Sequence, residues 1–356
     1  MGLKGFDYIE FYVGNAFQAA HFYCLALGFK VVARIGLETG IRDRVSILLE
    51  QNEIRLLLTA AQSPDSPIAQ HVSIHGDSVK DVAFLVDDVE TIFDQTVARG
   101  ARPVAEPTRF EDDYGYITKA TVAAYGDTVH SFLQRDSYHG PFLPGYQALA
   151  DGGRQNCIGL RQIDHLAISA EEGMLNELVA FYCDIFGFHE SHREDVASEY
   201  SAMNSKVVQD MTGRIKFPIV EPAIGRGRSQ ISEYLAYHNG PGVQHIALLA
   251  DDIVASVRSL RGKDIEFLRI PDNYYDALEN RVGNVDVDRN AIRELGILVD
   301  RDEWGYLMQT FTKPLHSRPT IFLEIIQRNA ARGFGAGNIK ALFEALEREQ
   351  LQRGNL

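Results

Sequence analysis

The sequence contains little cysteine, no excess of positive charge and no long apolar run. Its three cysteines, Cys24, Cys157 and Cys183, are too few and too scattered for a disulfide framework or a cysteine-rich zinc site, so we expect small buried thiols. No run is long and apolar enough for a transmembrane helix, and the first residues lack the pattern of a signal peptide. These absences predict a cytoplasmic protein without a membrane partner.

Basic residues are outnumbered, with 35 Lys and Arg against 49 Asp and Glu, which gives a formal charge of -14. Basic side chains are nowhere concentrated among aromatic ones, so nucleic acid is not an expected partner. A length of 356 residues exceeds the usual size of one domain and predicts two.

An internal repeat relates the two halves of the chain. FYCLALGFKVV resembles FYCDIFGFHES, VKDVAFLVDDV resembles VQHIALLADDI, and TVHSFLQR resembles TIFLEIIQR. The matching segments begin at Phe22 and Phe181, at Val79 and Val243, and at Thr128 and Thr320. Three matches in the same order, each separated by about 160 to 190 residues, indicate a duplication.

Each half reads as a strand, a helix and then several strands, which predicts an α+β protein with open, curved sheets. We expect an N-terminal domain over residues 1–150 without a metal site and a C-terminal catalytic domain over residues 151–356. The Gly- and Pro-rich segment 136–162 would connect them. Residues 339–346 have apolar side chains at helical spacing, so a helix is expected to close the second domain.

The two halves differ at three matching strand positions. In the second half these positions are His165, His245 and Glu324, and in the first half they are Tyr8, Asp81 and Ser131. The two-residue period of a strand places each second-half residue on the same face as apolar neighbours, so all three would point inward.

An inward histidine taken alone is usually a satisfied core residue, whereas a buried unpaired carboxylate is costly and normally finds a cation. Three such residues in one domain, absent from its sister, favour a metal site with His165, His245 and Glu324 as ligands. Two histidines and one carboxylate suit non-haem Fe(II), but zinc accepts the same ligands.

Three segments of the second half carry a family resemblance: SQISEYLAYHNGPGVQHIAL from Ser229, GYLMQTFTKPLHSRPTIFLEIIQR from Gly305 and GFGAGNIKALFEALE from Gly333. They resemble the signature segments of the family of 4-hydroxyphenylpyruvate dioxygenase and 4-hydroxymandelate synthase, within the vicinal oxygen chelate superfamily. The resemblance covers nearly the whole chain. It implies two tandem vicinal-oxygen-chelate domains built from βαβββ modules, and Fe(II) as the cofactor. It also implies an aryl 2-oxo acid and O2 as reactants, without separate 2-oxoglutarate, and allows a homo-oligomer.

The resemblance also implies which residues form the site. His165, His245 and Glu324 would bind iron. Polar groups with a catalytic role would be Gln230, Gln244, Gln309, Ser205 and Asn338. Substrate-binding residues would be Pro218, Val220, Phe311, Phe322, Phe334 and Ile339.

Two positions bear on the product. The dioxygenases usually have Asn where this chain has Val220 and Phe where it has Ile339, whereas the synthase resembles this chain in having aliphatic residues. Pro218 and the stretch FTKPLHSRPT resemble the dioxygenases. We predict 4-hydroxymandelate as the product, with homogentisate or oxidation of another aryl or alkyl pyruvate as the alternatives. A glyoxalase-type enzyme that uses Zn or Ni without O2, or a non-catalytic chelate-binding module, would also suit this fold.

Overall fold

The computed structural model describes residues 2–149, 158–198, 200–223 and 227–355. Cys157 and residues 150–157 of the predicted interdomain connection lie outside the described residues. Two compact units are present. The first unit combines the N-terminal half with Glu177–His189 and Gln209–Ile215. The second consists of Ile158–Asn176, Glu190–Val208 and the described residues from Lys216 onwards. A single domain boundary near residue 150 stays a prediction.

The first half of the chain forms two modules of one strand, one helix and three strands. The first module contains β1 Leu3–Tyr12, α1 Ala16–Leu27, β2 Lys30–Ile35, β3 Arg44–Gln51 and β4 Ile54–Ala61. Helix α2 Pro67–His75 follows. The second module contains β5 Ser78–Val86, α3 Val89–Ala98, β6 Pro103–Asp112, β7 Gly115–Ala123 and β8 Val129–Gln134, and a short strand follows, β9 Gln147–Ala148.

The second half repeats this order with longer connections. Its first module contains β10 Leu160–Ser169, α4 Leu175–Ala180, β11 His189–Ala197, β12 Ala202–Gln209 and β13 Lys216–Pro222. Helix α5 Gln230–His238 follows. The second module contains β14 Gly242–Ala250, α6 Ile253–Arg261, three short helices, β15 Leu298–Arg301, β16 Tyr306–Phe311 and β17 Phe322–Asn329. The short helices are α7 Asp272–Asp276, α8 Leu278–Val282 and α9 Arg289–Leu295, and the described chain ends after α10 Ala336–Gln352.

Strand order shows the duplication directly. One sheet runs β6-β7-β8-β5-β1-β4-β3-β2-β9 and the other runs β15-β16-β17-β14-β10-β13-β12-β11. In both sheets the two central strands are antiparallel, and each pairs in parallel with the last strand of a module. The predicted α+β fold of tandem βαβββ modules is confirmed.

Local signals explain where helix α1 begins and ends. The Asn15 side chain accepts a hydrogen bond from the Gln18 N–H and caps the start of α1, and Gly28 ends the helix with a φ of 75°. The equivalent helix of the second half differs, because α4 continues into a π-helical turn at Phe181–Ile185. Sequence periodicity did not predict this turn.

Two simpler expectations can also be compared with the structure. Cys24 and Cys183 form no disulfide and are only half-buried, so the expectation of buried thiols is wrong for both. Among the described residues, no helix combines the length and the apolar character needed to cross a bilayer.

Candidate metal centre

The three predicted metal ligands converge on one face of three neighbouring strands. His165 pairs with Ala247 across β10 and β14, and Ala247 pairs in turn with Glu324 of β17. Oε2 of Glu324 lies 3.2 Å from Nε2 of His165 and 3.5 Å from Nε2 of His245. Ligands about 2.1 Å from one ion and at right angles would be separated by about 3 Å. The spacing therefore suits a shared metal ion.

The other ring nitrogen of each histidine faces an acceptor. Nδ1 of His165 lies 2.8 Å from a carboxylate oxygen of Asp164, and Nδ1 of His245 lies 3.2 Å from Oε1 of Gln244. The Gln244 amide donates to Gln230 at 2.9 Å, which leaves its oxygen to accept. Both Nδ1 atoms thus carry hydrogen, so each imidazole in its neutral form directs an Nε2 lone pair at Glu324. Three acceptors directed into one buried space fit a cation.

The charges in this cluster agree with that interpretation. Without an ion, protons on the imidazoles take its place: burial opposes ionisation of Glu324, but the charge of His165 and hydrogen bonds from both imidazoles outweigh it and lower the Glu324 pKa to about 2. Burial lowers the pKa of His245. The same burial is outweighed at His165 by the charge of Glu324 and the bond to Asp164, so its pKa is raised. The carboxylate is ionised at neutral pH and available as a ligand.

Asp164 connects His165 to a buried ion pair that sequence analysis missed. Its carboxylate accepts two hydrogen bonds from Arg328, at 2.7 and 2.8 Å, and the guanidinium also donates to the Gly333 carbonyl at 2.6 Å. A slip in strand pairing between Ile163 and His165 lets consecutive side chains contact each other here. Burial, which would raise the Asp164 pKa, is outweighed by Arg328, so that pKa lies well below its usual range.

The first unit contains the same ion pair at the matching positions. Asp7 precedes Tyr8 as Asp164 precedes His165, and it accepts two hydrogen bonds from Arg135, at 2.6 and 2.7 Å. A search for charged residues that the two halves share would have found both ion pairs, in addition to the search for residues that differ. The pair is therefore part of the duplicated framework, and the second unit additionally uses it to orient a histidine.

The sister positions of the metal ligands also converge, but around a lysine. Asp81 accepts hydrogen bonds from Tyr8 at 3.1 Å and from the Ser131 hydroxyl at 2.6 Å. The Lys119 ammonium lies 2.7 Å from the Tyr8 hydroxyl and 3.3 Å from Asp81. In the first unit, the Lys119 ammonium thus lies among the residues that correspond to the metal ligands of the second unit.

Amide side chains fix the remaining oxygen of Glu324. Gln309 donates to Oε1 of Glu324 at 2.8 Å and accepts from Asn338 of α10 at 2.8 Å. Tyr274, which the sequence did not single out, donates to Asn338 at 2.6 Å. This chain of hydrogen bonds connects the start of the C-terminal helix to the carboxylate ligand.

A cavity opens in front of the three predicted ligands, and most of the predicted pocket residues line it: Pro218, Val220, Gln230, Gln244, Gln309, Phe311, Phe334 and Ile339. Among the described lining residues, Ser205, Asn338 and Phe322 are not found. Ser205 is buried on β12 between the lining residues Met203 and Val207. Asn338 contacts Gln309, and the Phe322 ring stacks on His245 with centroids 4.9 Å apart. Asn338 and Phe322 therefore contact residues that line the cavity without lining it themselves.

The rest of the wall is apolar and comes largely from α10. Its residues Ile339, Leu342, Phe343 and Leu346 all line the cavity, with Ile231 of α5 beside them. The predicted helix 339–346 thus covers the site. Such a cavity can bind a flat apolar body, and the two histidines and Glu324 at its base could bind a metal ion.

Comparisons with known proteins agree with this geometry. The family model for the Glyoxalase/Bleomycin resistance protein/Dioxygenase superfamily matches residues 5–128 and 162–308. A 4-hydroxyphenylpyruvate dioxygenase from Yarrowia lipolytica is 42% identical over 369 residues, which cover 99% of this chain and 94% of that protein. One from Dictyostelium discoideum is 42% identical over 367 residues, which cover 99% of this chain and all of that protein.

Among solved structures, a triple mutant of 4-hydroxymandelate synthase from Streptomyces coelicolor superposes with a TM-score of 0.90 at 39% identity, covering 98% of this chain and 100% of that one. The chain belongs to the 4-hydroxyphenylpyruvate dioxygenase and 4-hydroxymandelate synthase family. It is an enzyme of that family, and its His165, His245 and Glu324 form a cluster able to bind a metal ion. The family resemblance predicted from the sequence is confirmed.

Proposed function

We propose that this enzyme is an Fe(II)-dependent oxygenase of the 4-hydroxymandelate synthase type. It would convert 4-hydroxyphenylpyruvate and O2 to 4-hydroxymandelate and CO2, hydroxylating the benzylic carbon. The family and the buried set of two histidines and one carboxylate support the oxygenase class. A bound Fe(II) would supply O2 activation and coordinate the 2-oxo acid, with His165, His245 and Glu324 as its ligands.

The protein's own contribution is to hold these ligands and the substrate ring. Asp164 and Gln244 fix the two imidazole tautomers, and Gln309 fixes Glu324. Helix α10 and the Phe311 and Phe334 side chains exclude water from the space where the ring would lie. The aromatic walls limit how the ring can turn, so the cavity decides which carbon lies nearest the oxidant.

One observation carries the choice of the benzylic product. Val220 and Ile339 face the same cavity and belong to one apolar cluster with Val196, Met203, Ile231 and Phe343. No amide at position 220 can hold the substrate, and no phenyl ring at position 339 presses on it. A substrate ring held less tightly in this cavity would leave the benzylic carbon as the closer target of oxidation.

The runner-up is 4-hydroxyphenylpyruvate dioxygenase, which would give homogentisate. Pro218 lines the cavity and favours this reading, as do the names of the relatives at 42% identity. The two products are isomers, so their masses are equal and they must be separated by chromatography or NMR.

The test is to incubate the Fe(II)-loaded enzyme with 4-hydroxyphenylpyruvate and O2 and to quantify both products. We expect 4-hydroxymandelate as the main product. Mainly homogentisate would refute the synthase proposal in favour of the dioxygenase. Product formation without O2 consumption would refute both and indicate glyoxalase-type chemistry.

Variants extend the test to the two proposed determinants. The double substitution Val220→Asn and Ile339→Phe should move the main product from 4-hydroxymandelate to homogentisate. Leu342→Phe is the control, because it adds the same ring to the same helix face and should lower turnover without changing the product ratio. An unchanged ratio in the double variant would show that these positions do not determine the product.

A further inference from the structure

A second cluster of histidines and a carboxylate lies in the first unit. His71 and His75 are four residues apart on α2, so they lie on one face of the helix, and both are 5% exposed. Their ring centroids are 4.5 Å apart. Asp127, in the turn between β7 and β8, completes the group, and one ligand atom from each residue lies within 4.8 Å of the others.

Hydrogen bonds orient His71 as they would a metal ligand. Its Nε2 lies 3.0 Å from the Ser78 hydroxyl, which itself donates to the Gly76 carbonyl at 3.3 Å. When the Ser78 hydroxyl donates to Gly76, Nε2 of His71 is the donor, and in that tautomer the Nδ1 lone pair faces Asp127. Nδ1 lies 3.9 Å from Oδ2 of Asp127, beyond hydrogen-bond distance. In that tautomer a cation between Nδ1 and Oδ2 would be bound by both atoms.

The second histidine approaches the same oxygen. Nε2 of His75 lies 3.0 Å from Oδ2 of Asp127, and this contact lowers the Asp127 pKa. Without an ion, a hydrogen on His75 makes this bond, and a bound ion would replace it. Lys80 donates to the main-chain carbonyl of Asp127 and fixes the turn, although its charge competes with a cation. We therefore expect binding of moderate strength.

We propose that His71, His75 and Asp127 form a second metal site, for a divalent transition ion of the zinc class. Two imidazoles disfavour Mg²⁺ and Ca²⁺, which prefer oxygen ligands. The Asp127 side chain is 57% exposed, so water can complete the coordination. An ion here would join α2 to the β7–β8 turn and stabilise the first unit.

This site departs from the prediction of a metal-free N-terminal domain. The prediction compared only the sister positions Tyr8, Asp81 and Ser131, and Lys119 supplies the positive charge there. His71 and His75 lie outside the repeated strands, on a helix between the two modules of the first half. The proposed site is therefore not a relic of the duplicated one.

The test measures Zn²⁺ binding to the full-length, metal-depleted protein by competition with a chromogenic chelator. We expect two ions per chain in the wild type and one in Asp127→Asn, whose affinity at the missing site should fall at least about 30-fold. Asp113→Asn is the matched control, because it changes another exposed aspartate in a β-turn of the same unit, and it should still bind two. Circular dichroism of each metal-depleted variant checks the fold.

A second measurement separates the two clusters. In Glu324→Gln, whose C-terminal ligand set is weakened, added Zn²⁺ should still raise the melting temperature, and this rise should disappear when Asp127→Asn is combined with it. One ion per chain in the wild type, with equal Zn²⁺ affinity in Asp127→Asn and Asp113→Asn, would overturn the proposal. So would a melting temperature that Zn²⁺ raises equally with and without Asp127→Asn.

Discussion

Replacing Asp164 by Asn should weaken metal binding by changing how His165 is held. Oδ1 of Asp164 contacts His165 Nδ1 and Arg328 Nη2, each at 2.8 Å, so the Asn oxygen can keep both bonds. The Asn amide would then replace Oδ2, which now accepts from Arg328 Nε at 2.7 Å and faces Lys216 Nζ at 3.5 Å. Because the negative charge is lost but the tautomer of His165 is kept, we expect about a tenfold loss of metal affinity, the lower end for this kind of partner.

The duplication supplies a matched control for the loss of stability. Removing one partner of a buried ion pair costs about 3–5 kcal/mol, so Asp164→Asn should also lower the free energy of unfolding. Asp7→Asn disrupts the sister pair with Arg135, whose contacts at 2.6 and 2.7 Å are nearly the same. It should destabilise by a similar amount and leave the metal affinity unchanged.

The assay combines a competition measurement of the Fe(II) or Co(II) dissociation constant with denaturant unfolding of each variant. To exclude binding at His71 and His75, both measurements use a background that carries Asp127→Asn. If Asp164→Asn and Asp7→Asn lose equal stability and bind metal equally well, Asp164 does not position His165 and the reasoning fails.

Two further predictions concern a loop and a half-buried acid. The carboxylate of Asp302 accepts four main-chain N–H groups, two of them from Arg332 and Gly333. Asp302→Ala should therefore free the loop before Phe334 and lower kcat/KM about tenfold in an O2-consumption assay, and an unchanged value would contradict this. Burial raises the pKa of Glu10, so its charge costs stability once the pH exceeds its usual pKa. Glu10→Gln should raise the melting temperature at pH 8 but not at pH 4, and an equal effect at both would contradict the assignment.

The repeat explains why much of the fold was predictable from the sequence. Strand and helix periodicity indicated the first module, and the duplication extended it to the others. Sequence periodicity does not reveal a departure from regular helix or strand geometry when no characteristic residue type accompanies it. The π-helical turn at Phe181–Ile185 and the slip before His165 are of this kind, because each inserts a residue that the two- and 3.6-residue periods do not register.

The candidate ligands were predictable because the two halves have different residues at these positions. The residues that orient the ligands were missed, because only differences between the halves were compared. Asp164 and Arg328 have counterparts in the first half, so a search for differences passed over them. Tyr274 lies among short helices of the second half and reaches Asn338 only through the tertiary fold. Contacts that join distant segments in this way need coordinates, since no local pattern marks them.

The central claim is that one metal ion is held by His165, His245 and Glu324. Crystals of the Fe(II)-loaded enzyme, measured on both sides of the iron absorption edge, test it most directly. We expect an anomalous difference peak about 2.1 Å from Nε2 of both histidines and from a carboxylate oxygen of Glu324. A fully iron-loaded crystal with no peak among these three side chains would contradict it.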